Sequence, residues 1–277
     1  MVRNALSIDV EEYFQVTGLE NAVPRDAWET IPSRLNIGMD CVLEILSRRG
    51  VKATFFFLGW VAERFPELVQ TVAREGHEIG IHGYDHTLIY RQTPAEFEDH
   101  MTRALTAVRA VYDGAIAGFR APTFSIIKET LWALDILKKL DFEYDSSIFP
   151  FARKRYGIEG HSTRPYRLEN GLVEFPMSTV TVLGKTLPVG GGGYFRLYPY
   201  QLTRLALTHL NRKEQQPAMV YLHPWEFDPG QPRVTADAGN TFRHRVNLDK
   251  TASRLDRLCQ DFEFTTVCNV LKEVPLT

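Results

Sequence analysis

Through its first two-thirds this chain alternates short apolar runs with longer amphipathic ones, and chemically active side chains follow several of the short runs. Ala5 to Val10 reads as a strand that ends in acids, Asp9 and Glu11. Residues 34–49 read as a helix, because Leu35, Met39, Val42, Leu43 and Leu46 recur at helical spacing and Gly50 supplies a stop. Lys52 to Leu58 is β-like and aromatic, 60–74 is amphipathic up to Gly76, and Glu78 to Ile81 is a short strand running into His82. Thr93-Pro94-Ala95-Glu96 opens a helix expected over 94–112, with a cap residue, Pro at the first position and Glu at the third. Ile116 to Phe119 then delivers Arg120, and after a helix over 129–140 the strand Phe142 to Tyr144 delivers Asp145.

A β-α-β-α series favours a parallel sheet. Active sites of parallel barrels collect at the C-terminal strand ends, which is where these side chains fall. One shared site is therefore expected. Residues 146–198 are richer in Pro, Gly, Arg and Tyr, with β-like pieces at 166–168, 172–175 and 179–183, and read as an elaborated crossover or small sheet. Helix returns over 199–212 and 249–260, and strand over 218–222 and 262–267. With no repeat, low-complexity tract or linker in view, the expectation is one domain over 1–277.

The 277 residues carry a formal net charge of −2, which implies no pull toward nucleic acid or anionic lipid. Cys41, Cys259 and Cys268 form no disulfide framework and fit a reducing compartment. The opening has no long apolar run before Asp9, so no secretory leader is expected, and no run reaches membrane-spanning length. A cytoplasmic enzyme is the resulting expectation, with peripheral association with the inner membrane left open. Oligomeric state is not legible.

His82 and His86 stand i, i+4 in Ile81-His82-Gly83-Tyr84-Asp85-His86, so both imidazoles can meet one cation from a helical turn or tight loop. A carboxylate from a distant strand end can close a third position. A spare carboxylate and the late His223 are then available for proton transfer, the inventory of a metal-assisted hydrolase.

The order of these motifs resembles the polysaccharide deacetylase family (NodB homology domain, carbohydrate esterase family 4). It comprises the acid pair, Thr54-Phe55-Phe56-Phe57-Leu58-Gly59, the two histidines, Arg120-Ala121-Pro122 and Leu222-His223. The resemblance covers roughly 5–225, with 226–277 as an extension packed on the barrel. His223-Pro224-Trp225-Glu226-Phe227 and the stretch 242–248 are similar to a bacterial subgroup found among exopolysaccharide loci.

The resemblance implies a distorted (β/α) barrel, seven-stranded with an elaborated C-terminal region, that removes N-acetyl groups from N-acetylhexosamine units of a polysaccharide or its precursor. It casts Asp9 as base, Arg120 as its brace, the Thr123 backbone as an oxyanion donor and His223 as general acid. Asp145 is the expected partner of His223, with Glu226 a rival. His82 and His86 would hold a divalent cation, Zn²⁺ with Co²⁺ or Ni²⁺ as substitutes. The family's second aspartate is Val10 here, which cannot coordinate. Glu11 shares the face of Asp9 by the strand's period of two and is the expected third ligand. Glu12, or a site without metal, stays open.

Tyr13, Phe14, Phe124, Phe149, Tyr156 and Trp225 flank these motifs and are the candidates for stacking on sugar, with Tyr13, Phe124, Phe149 and Trp225 foremost. Gly190-Gly191-Gly192-Gly193 reads as a mobile loop bordering the groove beside Tyr194 and Phe195, without the strand-to-helix context of a phosphate cradle. The partner is an N-acetylated glycan, free or lipid-linked. The rivals are a metal-independent allantoinase-like C–N hydrolase and an inactive glycan-binding module.

Overall fold

The computed structural model describes residues 2–151 and 156–276. Its strands are β1 (Asn4–Val10), β2 (Thr54–Phe57), β3 (Glu78–Ile81), β4 (Gly118–Phe119), β5 (Tyr144–Asp145), β6 (Tyr166–Arg167), β7 (Val173–Glu174), β8 (Thr179–Val182), β9 (Lys185–Pro188), β10 (Met219–Leu222) and β11 (Phe264–Thr265). The helices are α1 (Leu35–Arg49), α2 (Gly59–Arg64), α3 (Pro66–Arg74), α4 (Pro94–Arg109), α5 (Trp132–Lys139), α6 (Gly192–Leu197), α7 (Tyr200–Arg212), α8 (Ala238–Arg245), α9 (Thr251–Asp261) and α10 (Val267–Leu271).

Seven strands run parallel in the order β10-β1-β2-β3-β4-β5-β7 and curl into a distorted (β/α) barrel. β6 lies antiparallel on β7. The short β11 pairs with Asn4 and Ala5, just below the point where β2 takes over at Ser7. Residues after 226 thus add a strand to the sheet. β8 and β9 form a separate hairpin. Among the described residues no helix is long and apolar enough to cross a membrane.

Strand alternation sorts the core. Leu6, Ile8, Val10, Phe55 and Phe57 face the helices and join one large cluster. Ala5 and Phe56 face inward with Tyr144, Phe124, Met219 and Tyr221. Ser7 and Asp9 share the parity of Ala5, so the inner face of β1 becomes polar toward its C-terminal end. α1 buries Leu35, Met39, Val42, Leu43 and Leu46, and Gly50 ends it in the left-handed region at φ 64°. Thr93 and Glu96 cap each other's backbone at the start of α4.

Several boundaries depart from expectation. The strand expected over 262–267 is only Phe264–Thr265, and Val267 begins α10. The helix expected over 60–74 is two helices, because Pro66 has no N–H to donate and moves Phe65 to φ −130°, ψ 59°. α4 stops at Arg109 instead of 112. The four-glycine run is flanked by strand and helix, and is no free loop. The Tyr221 N–H donates to Gly190 O at 2.7 Å. Gly191 sits at φ 135° where a Cβ would lie 1.9 Å from Tyr221 O, and Gly192 begins α6. The glycines let this segment lie against β10 at a distance no side chain permits.

Candidate active site

β3 ends at Ile81 and the chain turns through His82, Gly83 (φ 83°) and His86 (φ 60°). That left-handed step brings the second imidazole round to the first, with ring centroids 5.5 Å apart. The loop is anchored to α2 by Gly59 N–H to Gly83 O and Trp60 N–H to Tyr84 O, both 2.9 Å. Asp85 points away from the cluster, accepting from Thr87 Oγ1 at 2.5 Å and Arg25 at 2.7 Å.

Glu11, at the end of β1, completes the group. Donor atoms of Glu11, His82 and His86 all lie within 4.8 Å of one another, and all three side chains are buried. His82 Nδ1 is 2.9 Å from Arg120 O, so Nδ1 carries the proton and Nε2 offers its lone pair. Glu11 Oε2 is 2.8 Å from His86 Nε2, yet it is a buried acceptor with no hydrogen bond. A buried carboxylate oxygen whose near neighbour is an imidazole nitrogen is well placed to meet a cation. Two imidazole nitrogens and one carboxylate oxygen, with one histidine oriented by a carbonyl, fit a zinc-like divalent ion. Glu12 is no rival ligand, because it turns to Ser33 and to the Arg34 backbone.

Asp9 stands one strand period before Glu11. Its Oδ1 accepts from Arg120 Nη1 at 2.8 Å. Arg120 is wholly buried and donates also to Ser7 Oγ (2.6 Å), Ser146 Oγ (3.0 Å) and Ser146 O (3.1 Å). Its guanidinium lies 4.4 Å from the centre of the Phe56 ring. The charge is thus dissolved in hydrogen bonds rather than water, and one of them holds Asp9.

His223 follows β10 on the opposite side of β1. Its Nε2 is 3.9 Å from Asp9 Oδ2 and 3.6 Å from Glu11 Oε1. Its Nδ1 donates to Glu226 Oε1 at 2.5 Å. Glu226 is paired in turn with Arg196 Nε at 2.7 Å. Burial opposes the imidazolium, but Glu11, Glu226 and Asp9 outweigh it and push His223 up to about 9. Burial likewise opposes ionisation of Glu226, and Arg196 reverses that, holding it below the usual carboxylate range.

The expected partner of His223, Asp145, is a correction. It sits on β5 and accepts from Ser147 Oγ at 2.5 Å and Ser147 N–H at 3.2 Å. Its register neighbour across the sheet is Glu174. Burial raises both carboxyls, and each faces the other. Ser147 Oγ accepts from Ala121 N–H at 2.8 Å, so Asp145 acts on the turn carrying Thr123. The short helical turn Pro224–Phe227 is what carries Glu226 back beneath His223.

Asp9, Glu11, His82, His86, Thr123 and His223 line one cavity of about 810 Å³. Phe124, Tyr156, Tyr194 and Tyr221 form aromatic walls, and Asn240, Phe242 and Arg243 close one side from α8. Thr123 stands at φ 54°, its hydroxyl 2.6 Å from that of Thr17.

Of the aromatic candidates, Phe124 and Tyr156 reach the cavity. Tyr13 and Phe14 do not: both are buried, packed edge to face at 5.1 Å in the cluster with Trp28. Phe149 is buried against Phe124 and Tyr156. Trp225 lines the cavity but is buried and stacked with His223 and His244, at 5.3 and 4.5 Å, which leaves little of the ring for a sugar. Arg196, Ser146, Glu174 and His244 escaped the sequence reading, since each acts through a partner far along the chain.

An α/β barrel with acids and imidazoles converging at its C-terminal strand ends defines a hydrolase-like scaffold. Residues 35–144 match the polysaccharide deacetylase model, and residues 146–272 match one described as a domain of unknown function (DUF3473). The 35–144 segment thus carries a polysaccharide deacetylase domain. It is 30% identical over 146 residues to a peptidoglycan deacetylase-like protein of Gibberella zeae, covering 52% of this chain and 38% of that one. It is 34% identical over 95 residues to a peptidoglycan-N-acetylglucosamine deacetylase of Bacillus cereus, covering 34% of each. It is 32% identical over 96 residues to a chitooligosaccharide deacetylase of Bradyrhizobium, covering 35% of this chain and 42% of that one. The chain thus spans 34–42% of the length of these relatives. In fold it is similar to a crystal structure from Mycobacterium smegmatis described as a polysaccharide deacetylase (TM-score 0.64, 19% identity, 100% of this chain and 94% of that one). It is also similar to a carbohydrate esterase family 4 pseudoenzyme of Bacillus anthracis (TM-score 0.51, 15% identity, 97% and 65%).

Proposed function

We propose that this chain hydrolyses the acetamide of N-acetylhexosamine units in a bacterial polysaccharide or its precursor, releasing acetate. The observation that carries the reading is the convergence in one cavity of the Glu11, His82 and His86 donors with Asp9 and His223. Glu11, His82 and His86 would hold one divalent cation, zinc by preference. When bound, it supplies Lewis-acid polarisation and lowers the pKa of water.

The remaining work falls to the chain. Asp9, oriented by the Arg120 guanidinium, takes a proton from the attacking water. The Thr123 backbone N–H faces the oxygen on which charge develops. His223, charged beside Glu226, gives its proton to the nitrogen as the C–N bond breaks, so the sugar leaves as an amine and the acyl group as acetate. The peptidoglycan and chitooligosaccharide deacetylases among the relatives support an N-acetylated glycan as substrate.

The test is acetate release from N-acetylglucosamine oligomers by zinc-reconstituted protein, with and without a chelator. Acetate that appears with zinc and vanishes on chelation is the expected result. Activity untouched by chelation would overturn the metal-dependent reading in favour of a metal-free C–N hydrolase. Metal-loaded, folded protein that turns over no acetamide would leave a glycan-binding module.

A further inference from the structure

We propose that Trp225 is a positioning residue for Glu11, its indole N–H holding one carboxylate oxygen so that only the other faces the cation. The inference rests on the metal-binding reading above and extends it to a residue outside the ligand set. Trp225 Nε1 donates to Glu11 Oε1 at 3.1 Å, across 214 positions of sequence. Indole is a donor only and cannot compete for the metal. Glu11 Oε2 is left without a hydrogen bond on the side of His82 and His86.

The indole is itself held. His223 stacks on it at 5.3 Å and 20°, and His244 at 4.5 Å and 16°. The Arg196 guanidinium lies 5.0 Å from the ring. Gln231 donates to Trp225 O at 2.7 Å, and its Oε1 is 2.7 Å from His244 Nε2. A buried ring stacked with two imidazoles keeps one free polar function, its N–H edge, and the edge points at Glu11. There is a chemical reason for such a clamp. Glutamate has one more rotatable bond than aspartate, so a ligand at this place needs a second anchor to lose that freedom before the cation arrives.

Trp225→Phe keeps the stack and deletes the N–H. The readouts are Zn²⁺ affinity by chelator competition and the visible spectrum of the Co²⁺ form, beside wild type and Glu11→Ala. Loss of an outer hydrogen bond to a ligand typically weakens metal affinity about 10–100-fold. We expect Trp225→Phe to fall in that range with a changed Co²⁺ spectrum, and Glu11→Ala to fall further. Wild-type affinity and spectrum in Trp225→Phe, with Glu11→Ala impaired, would overturn the inference alone. Wild-type binding in Glu11→Ala as well would overturn the ligand reading and the inference with it.

Should Trp225→Phe misfold, ¹⁵N-indole spectra of the wild type decide. The chain has 4 tryptophans, assignable from Phe variants of Trp28, Trp60 and Trp132. The Trp225 indole proton should be exchange-protected and shift on addition of one equivalent of Zn²⁺. An unprotected or unmoved signal would overturn the inference.

Discussion

Asp9 and His223 face each other across 3.9 Å, one tied to a guanidinium and the other to a carboxylate, and that opposition gives them different partners for proton transfer. Asp9→Asn should keep fold and cation and lose about 10²–10⁴-fold in acetate release, the usual share of a general base. Loss of the cation in that variant would make Asp9 a ligand. His223→Ala should cut turnover of an acetamide sharply, because an amine leaves poorly without a proton. It should hurt an activated aryl ester far less, and equal losses on both would assign His223 to binding or structure. A separate effect comes from Asp145 and Glu174, whose burial holds protons on the pair above the ordinary carboxylate range. Between the unfolded value of about 4 and the raised folded value, the native chain binds more protons than the unfolded one, so this pair lowers stability as pH rises. Glu174→Gln keeps a donor and removes the titration. Its Tm relative to wild type should therefore climb as pH rises from about 4 to about 8. A pH-independent difference would mean that the pair holds no extra proton.

α1 presses on the turn after His223 so closely that Gly38 is required. A Cβ there would lie 2.0 Å from Pro224 O. Gly38→Ala should destabilise by about 1–3 kcal/mol, the range for overpacking, measured by urea unfolding. Activity should fall further than a surface Gly→Ala change would cause, since the turn seats His223 and Glu226. At this scale the strands and long helices were legible from periodicity and stop residues. α8 was not, because Ala-Gly-Asn-Thr-Phe-Arg-His-Arg has no apolar stripe and buries only His244. It stands on the Asp237 cap and on His244 stacked against Trp225. β9 was missed because only Pro188 of it is buried and it stands on its pairing with β8, and α6 because its six residues bury only Gly192, Phe195 and Arg196.

The whole sheet is built around β1, which has β10 on one edge and β2 with β11 on the other. The matched deacetylase segment, 35–144, contains His82, His86 and Arg120 but neither the acids of β1 nor His223. A fragment ending at residue 145 would leave the β10 edge of β1 unpaired and would lack Trp225 and Glu226. We expect it neither to melt cooperatively nor to hold Zn²⁺ at wild-type affinity, and addition of the 146–277 piece to restore both. A fragment that does both alone would show the second half to be a separate domain.

Residue types and their order along the chain already determined a parallel α/β sheet, an inner and an outer face on each strand, and acids and imidazoles at the strand ends. Those follow from periods of 2 and 3.6, which are local. Pairing is not local. Asp145 and Glu226 are both acids near a strand end, and only the turn after β10 decides that Glu226 meets His223 while Asp145 turns to Ser147. Tyr13, Phe124, Phe149 and Trp225 are equally aromatic, and only packing decides that Phe124 opens to the cavity while Trp225 is stacked with His223 and His244. Side-chain partners 214 positions apart, such as Trp225 and Glu11, become neighbours only when β10 docks beside β1.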